Sequence, residues 1–280
     1  MKERTGFADV DGSGRSGELV DYLALAAKNM GDLRLGGYDM LRLQPGASVL
    51  DVGCGVGEVC VELAERVAPD GRVAGVDLSE AMIEAARRTV ANSGKAVDLR
   101  VASVYALPFA DGTFDAVRAE RVFQHLDNPE AGLREMMRVT RPGGRLLVMD
   151  PDHGQAGMAI DDPAHRRIFE AIQRAMTAMV VNPHSGTRLR GMFARAGLVE
   201  IAQGTLSPDF SFPHYMQMFF VTERLAAVVA SGEIDEGQAR DFVAALEARH
   251  RDGTFFSNAI AYNVAGTKPQ VAGCDPEDTP

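Results

Sequence analysis

The sequence predicts an α/β fold in which helices wind around both faces of a mainly parallel sheet. Strand-like segments at 72–77, 97–101, 114–120 and 145–151 alternate with helix-like segments between residues 48 and 150. Ser79 and Asn128 are expected to cap two of these helices. A glycine-rich turn joins the first strand to the helix after it, and the second strand ends in an acidic residue. With 280 residues and a hydrophobic fraction of 46%, the chain is long enough to bury one large core.

The glycine-rich turn is the most informative feature of the chain. An apolar strand runs into Asp51, and Gly53, Gly55 and Gly57 follow at alternating positions. Glycine lets a backbone turn sharply and approach a ligand closely, and a helix that begins there presents unpaired N–H groups. A dinucleotide site needs G-x-G-x-x-G, whereas Glu58 stands at the sixth position here. The turn therefore predicts a ligand other than NAD, and an NAD-dependent oxidoreductase is the weaker alternative.

The pattern Asp-x-Gly-x-Gly-x-Gly at 51–57 resembles motif I of the class I S-adenosylmethionine (SAM) methyltransferases. Leu-Pro-Phe at 107–109, Asp-Gly-Thr-Phe-Asp at 111–115 and Arg-Pro-Gly-Gly at 141–144 are similar to the ubiquinone/menaquinone-biosynthesis-like branch of that family. The resemblance covers roughly residues 44–152. It implies SAM as the cofactor and a doubly wound, Rossmann-like sheet of seven strands with the last strand antiparallel.

The resemblance also implies which residues hold the cofactor. Asp77 ends the second strand 24 positions after Gly53, close to the interval expected for an acid that accepts hydrogen bonds from ribose hydroxyls. Ser103 stands where the family usually has an Asp for the adenine amino group, and its hydroxyl can still accept a hydrogen bond. The expected cofactor residues are Asp51, Gly53, Cys54, Gly55, Gly57, Asp77, Leu78, Met82, Ser103, Val104, Glu120 and Arg121.

The segments around the cofactor core predict helical additions that hold the substrate. The chain ends and the stretch Asp11–Gly14 are expected to be loosely ordered. The expected organisation is an N-terminal helical cap at 1–44, the SAM-binding core at 45–152, a helical cap insertion at 153–197, the remaining core strands at 198–269 with a lid insertion at about 207–252, and a disordered tail at 270–280.

The segment 210–220 is the richest stretch of Met and aromatic residues in the chain. It is either core packing beneath a helix or a lid over an apolar pocket, since Met adapts to irregular ligands and aromatic rings supply contact area. On the second interpretation the acceptor is a hydrophobic or aromatic small molecule such as a quinone, a phenol or a polyketide-like metabolite. The expected substrate contacts are Tyr22, His214, Tyr215, Met218 and Phe219.

Methyl transfer is an in-line displacement, so it depends mainly on alignment of the acceptor with the sulfonium. A hydroxyl acceptor also benefits from a general base. The candidates are His125 after the fourth strand, and His153 with Asp152 after the fifth, although each histidine is equally consistent with a structural role. No spacing of His, Cys or acidic residues supports a metal site, so none is expected.

Composition excludes other classes of function. A net charge of −10 argues against nucleic-acid binding, and no apolar run is long enough for a membrane span. Cys54, Cys60 and Cys274 lack the spacing of a disulfide framework or a zinc site. The sequence predicts a cytoplasmic monomer or homodimer acting on a small molecule. A protein of the same fold that uses SAM structurally, as a cyclisation catalyst or a regulator, is the remaining alternative.

Overall fold

The structure is a computed structural model that describes residue 7, residues 9–29 and residues 31–270, with the side chains of residues 25–35 outside the description. The predicted tail from 271 onward, with Cys274, and the first six residues of the predicted N-terminal cap also lie outside the described residues.

One seven-stranded sheet organises the described part of the chain. Its order is β3-β2-β1-β4-β5-β7-β6, in which β1 to β5 run parallel and β7 is antiparallel to both β5 and β6. The predicted fold class is therefore confirmed. The strands are β1 (Ser48–Val52), β2 (Arg72–Asp77), β3 (Asp98–Val101), β4 (Phe114–Glu120), β5 (Thr140–Met158), β6 (Val199–Leu206) and β7 (Ser257–Thr267).

Helices flank both faces of the sheet and extend beyond it. Among the described residues, no helix is long and apolar enough to cross a membrane. The helices are α1 (Ser16–Asn29), α2 (Gly31–Leu41), α3 (Glu58–Arg66), α4 (Glu80–Ser93), α5 (Pro129–Val139), α6 (Pro163–Met179), α7 (Ser185–Arg195), α8 (Phe212–Met218), α9 (Val221–Ala230) and α10 (Glu236–Arg251), and a 3₁₀ turn spans Phe123–His125.

The alternating side chains of β1 divide the core into two layers. Leu50 and Val52 point to the face covered by α5 and α7, whereas Val49 points to the face covered by α2 and α3. All three side chains are at most 1% exposed. Burial on both faces explains why β1 is an almost continuous apolar run, as expected for a central parallel strand.

Side-chain caps fix the starts of two helices next to the cofactor core. Ser79 accepts a hydrogen bond from the Met82 amide at 3.1 Å, and Asn128 accepts one from the Ala131 amide at 3.0 Å with Pro129 in the first helical turn. Both predicted caps are confirmed.

Strand β5 is longer than the sequence suggested. The expected strand spanned 145–151, but β5 pairs with β7 as far as the pair Met158 and Ser257. Pairing with β7 satisfies the backbone hydrogen bonds of residues 152–158, whose sequence resembles that of a loop. Asp152 and His153 therefore lie within β5 and not in a loop after it.

The expectation that residues 11–14 are loosely ordered is wrong for Asp11. Its carboxylate accepts hydrogen bonds from the Ser79 hydroxyl at 2.7 Å and from the Glu80 and Ala81 amides at 2.8 and 3.3 Å. These contacts complete the start of α4, and they lower the pKa of Asp11, the Ser79 hydrogen bond most strongly. A contact across 68 residues leaves no local signal in the sequence.

The segment predicted as packing or lid forms α8 and the start of α9. It belongs to a third apolar cluster with α6 and α10, in which Tyr215 is 2% exposed. The Tyr215 ring lies 5.4 Å from that of Phe219 and 6.0 Å from that of Phe255. The Tyr215 ring therefore packs in this cluster, while the edge of the segment contacts α1.

Candidate functional site

A cleft of about 310 Å³ opens at the carboxyl ends of β1, β2 and β4. The sheet order reverses beside β1, and such a reversal is where ligands bind in doubly wound folds. Phe7, Val10 and Leu23 close it from the N-terminal side. The predicted residues that line the cleft are Asp51, Gly53, Cys54, Gly55, Asp77, Leu78, Met82, Ser103, Val104, Glu120, Arg121 and His125.

The three glycines of the turn all adopt positive φ, at +72°, +51° and +83°, which explains the residue type. A Cβ on Gly53 would lie 2.3 Å from Val122, and a Cβ on Gly57 would lie 2.9 Å from the Cβ of Ala86. Gly57 thus allows α3 to pack against α4, and it is not among the residues that line the cleft. Gly53 and Gly55 bring the backbone itself to the ligand space.

Asp77 connects the turn to the next helix. Its Oδ2 accepts a hydrogen bond from the Gly55 amide and its Oδ1 accepts one from the Ser79 amide, both at 3.0 Å. Burial raises the pKa of Asp77, and these two amide hydrogen bonds act in the opposite direction. A carboxylate has lone pairs for further donors, so Asp77 can hold the turn and still accept hydroxyl groups in the cleft.

A buried charge triad forms the floor of the cleft. The guanidinium of Arg118 donates to Asp51 at 2.9 Å and to Glu120 at 2.6 Å, and the Arg118 side chain is 3% exposed. Burial alone would lower the pKa of Arg118, but Asp51 and Glu120 raise it above the ordinary value. The triad carries one positive and two negative groups, so it leaves a net negative charge in the cleft.

Arg118 was not among the predicted site residues, although two features of the sequence indicate a buried ion pair at this position. An arginine inside an apolar strand requires a buried partner. Residues two apart on a strand share a face, which places Arg118 beside Glu120. The register of the sheet pairs Arg118 with Asp51 on the neighbouring strand.

The opposite end of the cleft is apolar. Leu78 is 65% exposed at the cleft, while Met82 beneath it is 1% exposed. Ser103 Oγ accepts a hydrogen bond from the Tyr105 amide at 3.2 Å and keeps its own proton to donate. A planar aromatic group could lie between Leu78 and the strand ends.

Tyr22 connects the cleft with the helices above it. Arg121, which has φ of +59°, donates to the Tyr22 hydroxyl at 3.1 Å, and this hydroxyl donates to the Met218 carbonyl at 3.2 Å. The Tyr22 ring also stacks on Phe220 with centroids 5.1 Å apart. Tyr22 and Met218, both predicted substrate contacts, are thus brought together at the edge of the cleft.

His125 and His153 lie close to each other at the same edge. Burial and the Arg121 guanidinium lower the pKa of His125 to about 3. Burial, Arg121 and Arg224 lower the pKa of His153 to about 4. Both imidazoles are therefore neutral at physiological pH.

Gln124 determines the tautomer of His153. The Gln124 amide nitrogen donates to the Arg121 carbonyl at 3.0 Å, so its oxygen faces His153 Nε2 at 2.6 Å. The Gln124 oxygen can only accept, so the proton is on Nε2 and Nδ1 is the basic nitrogen.

The other predicted residues lie further from the cleft. Asp152 accepts hydrogen bonds from His184, from the Thr187 hydroxyl and from the Gly154 amide, which together lower its pKa although burial acts in the opposite direction. Asp152 therefore orients α7 and does not contact His153 through a hydrogen bond in the described residues. His214, Tyr215 and Phe219 are on or beside α8 and do not line the cleft. No group of three or more His, Cys, Asp or Glu side chains within the described ranges could hold a metal ion.

Asp150 follows Met149 on β5, and Met149 pairs with Glu120 of the cleft lining. The burial of Asp150 predicts that the stability of the protein depends on pH. Burial raises the pKa of Asp150 to about 7, against a hydrogen bond from the Ser185 hydroxyl. Between pH 4 and 7 the unfolded state ionises while the folded state stays protonated, so this residue lowers the free energy of unfolding as the pH rises. We expect the free energy of unfolding of Asp150→Asn, relative to that of the wild type, to be about 3 kcal/mol higher at pH 8 than at pH 5. Denaturant unfolding at both pH values tests this, with the exposed Asp241→Asn as control. A difference independent of pH would contradict it.

Comparison with known proteins gives the family. Residues 50–148 match the model of a methyltransferase domain. The ubiquinone/menaquinone biosynthesis C-methyltransferase UbiE of Cupriavidus metallidurans is 30% identical over 228 residues, which cover 70% of this chain and 90% of that protein. The chain belongs to the ubiquinone/menaquinone-biosynthesis-like branch of the class I SAM-dependent methyltransferases. Its cofactor is SAM.

Two further likenesses agree with this family. The demethylmenaquinone methyltransferase of Symbiobacterium thermophilum is 40% identical over 109 residues, or 38% of this chain, and the chain spans only 43% of that relative. The crystal structure of the Bacillus halodurans protein BH2331 superposes with a TM-score of 0.61 at 20% identity, covering 84% of this chain and 98% of that one. The second likeness shows the same fold.

The cleft fits SAM in shape and in charge. The glycine turn leaves no side chain between the backbone and the ligand space, and the volume is within the usual range for a small-molecule site. The net negative charge of the triad, with Asp77 further along, complements a ligand that carries an ammonium and a sulfonium. The apolar end beside Leu78 suits an adenine ring.

Proposed function

We propose that the protein is an enzyme that transfers a methyl group from SAM to a small, hydrophobic or aromatic acceptor. The observation that carries this proposal is the position of Tyr22. It is hydrogen-bonded to Arg121 in the cleft and to the Met218 carbonyl on α8, and it stacks on Phe220 at the start of α9. An aromatic wall beneath two helices therefore adjoins the cofactor cleft, and we propose that an apolar acceptor lies along it.

The cofactor assignments are part of this proposal, and the lining of the cleft supports them. Asp51, within the triad, and the glycine turn would hold the amino-acid end, and Asp77 would hold the ribose. Glu120 and Arg121 would line the methionine side. Leu78 and Met82 would lie near the adenine, and Ser103 and Val104 would meet its edge. We propose that residues 45–152 form this cofactor half, while the caps at 1–44 and 153–197 and the lid at about 207–252 form the acceptor half.

When bound, SAM supplies a methyl group attached to a positively charged sulfur. A hydroxyl acceptor would have to release its proton as it is methylated. The chain would align the acceptor, exclude water through Phe7, Tyr22 and Phe220, and hold the proton of the acceptor in a hydrogen bond. The neutral His125 faces the cleft and can take a hydrogen bond from an acceptor hydroxyl, and His153 Nδ1 is the second acceptor nitrogen.

Transfer of labelled methyl from SAM to a panel of phenols and hydroquinones tests the proposal directly. Formation of a methylated product supports it. The contrary result has two parts: the protein binds SAM but methylates no panel member, and it converts a panel member into a product with no added methyl group. That result would favour the cyclisation alternative and contradict methyl transfer.

His125→Gln is expected to lower kcat by about tenfold while leaving the affinity for S-adenosylhomocysteine unchanged, because the neutral imidazole contributes one hydrogen bond to the acceptor hydroxyl in the chemical step. Methylation of the acceptor identified in the panel measures kcat, and calorimetric titration measures the affinity for S-adenosylhomocysteine. The exposed His250→Gln serves as the control. An equal loss of turnover and binding would indicate a structural role for His125.

A further inference from the structure

Arg224 is a buried cation whose hydrogen bonds are incomplete. It lies on α9 and is 7% exposed, and its Nε and Nη1 have no hydrogen-bond partner among the described residues. Burial lowers the pKa of Arg224, although a guanidinium stays charged at any physiological pH. A buried cation with incomplete hydrogen bonds is unfavourable, so the position favours an anion that is not part of the described chain.

The carboxylate nearest to Arg224 in sequence, Glu223, is exposed, and the buried groups around Arg224 include a further donor. The Tyr215 hydroxyl is buried without a hydrogen-bond partner in the described part of the chain. Burial raises the pKa of Tyr215, so the phenol remains protonated and able to donate. Arg121 lies over the Tyr22 ring at 5.7 Å and Arg224 lies over the Phe220 ring at 5.9 Å, so two cations flank this stacked pair of rings and make the region electropositive. An anion placed here would meet several donors at once.

This electropositive region adjoins the cofactor cleft through two aromatic rings. The Arg224 guanidinium lies over the Phe220 ring at 5.9 Å, and Phe220 stacks on Tyr22 at 5.1 Å. Tyr22 in turn is hydrogen-bonded to Arg121, which lines the cleft. Phe220 has φ of +46° and ψ of +46°, a left-handed backbone at the junction of α8 and α9 that directs its ring between Tyr22 and Arg224.

We propose that the methyl acceptor carries a carboxylate, which binds the Arg224 guanidinium with the Tyr215 hydroxyl as a further donor. The apolar body of the acceptor lies along Phe220 and Tyr22, and its reacting atom points to the cofactor cleft. A planar guanidinium matches a carboxylate in charge and geometry. This inference rests on the proposed function, since it specifies the acceptor of that same site.

Thermal melting in the presence of saturating S-adenosylhomocysteine tests the proposal with matched acid and amide probes. We expect benzoate and 2-naphthoate to raise the Tm of the wild type, and benzamide and 2-naphthamide to have little effect. Arg224→Met should weaken binding of the acids by about tenfold or more, because charge-assisted hydrogen bonds are lost. Arg224→Lys should recover part of the affinity. Arg240→Met, at an exposed position of α10, should behave as the wild type.

Each other outcome has a defined meaning. Equal effects of acid and amide on the wild type, or no effect of either, would overturn the carboxylate proposal, and this comparison does not depend on the folding of any variant. An unchanged acid response in Arg224→Met would also overturn it. A larger Tm shift with phenyl phosphate than with benzoate would reject the carboxylate in favour of a phosphate. Failure of S-adenosylhomocysteine to bind the wild type would overturn the proposed function itself, whereas binding of S-adenosylhomocysteine without an acid preference would overturn the present inference only.

Discussion

Replacing Arg118 with methionine is expected to lower the free energy of unfolding by about 3–5 kcal/mol at pH 8. Arg118 is the cation between Asp51 and Glu120, and all three side chains are at most 11% exposed. Without the guanidinium, two carboxylates share a buried space, and their mutual repulsion disfavours the ionised forms in the folded state.

The pH dependence of the Arg118→Met defect distinguishes this explanation from simple loss of packing. Repulsion and burial raise the folded-state pKa values of the two carboxylates in the variant above their unfolded values. The extra cost is therefore small below pH 4 and grows as the pH rises, because the unfolded state then releases protons that the folded state keeps. We expect a clearly smaller defect at pH 5 than at pH 8 in denaturant unfolding.

Two variants serve as controls for Arg118. Arg88→Met removes an exposed arginine that pairs with Glu84 at 4.0 Å on α4, and it should change stability by less than about 1 kcal/mol. Adding Glu120→Gln to Arg118→Met removes one of the opposed charges and should restore part of the loss. An Arg118→Met defect no larger than that of Arg88→Met would contradict the triad.

Asp77→Ala is expected to weaken binding of S-adenosylhomocysteine by about 100-fold. The substitution removes a carboxylate that faces the cleft, and hydrogen bonds to charged groups contribute about 1.5–3 kcal/mol each. It also releases the Gly55 and Ser79 amides that Asp77 now holds at 3.0 Å, so the glycine turn loses its connection to α4.

Calorimetric titration measures the effect of Asp77→Ala, with the exposed Asp70→Ala as control. Asp77→Asn retains one carbonyl oxygen and should fall between the wild type and Asp77→Ala. Unchanged affinity in Asp77→Ala would remove Asp77 from the cofactor site.

The cofactor half of the fold could be predicted because its signals are local. β2 and β4 have the bounds that the sequence predicted, at Arg72–Asp77 and Phe114–Glu120, since each is a short, mainly apolar segment that follows an Asp-Gly turn. The glycine turn and the Ser79 cap lie within a few residues of the elements that they shape. The full length of β5 and the role of Arg118 escaped, because each depends on a distant strand. The β5 extension pairs with β7 about 100 residues later, and Arg118 meets Asp51 across 67 residues.

The acceptor half could not be predicted to the same depth because its contacts join distant segments. Tyr22 meets Met218 across 196 residues, and Asp11 meets Ser79 across 68. Tyr215 was among the predicted substrate contacts, whereas Arg224 was not, because an arginine on an amphipathic helix normally points to solvent. Its burial becomes visible only when α9 is placed against α8 and α1.

The most direct test of the SAM site is parallel calorimetric titration of the wild-type protein with SAM, S-adenosylhomocysteine and NAD. The acidic cleft and the glycine turn predict micromolar binding of the two sulfur ligands and no detectable binding of NAD. Binding of NAD alone, or of none of the three, would contradict the assignment of the cleft as a SAM site.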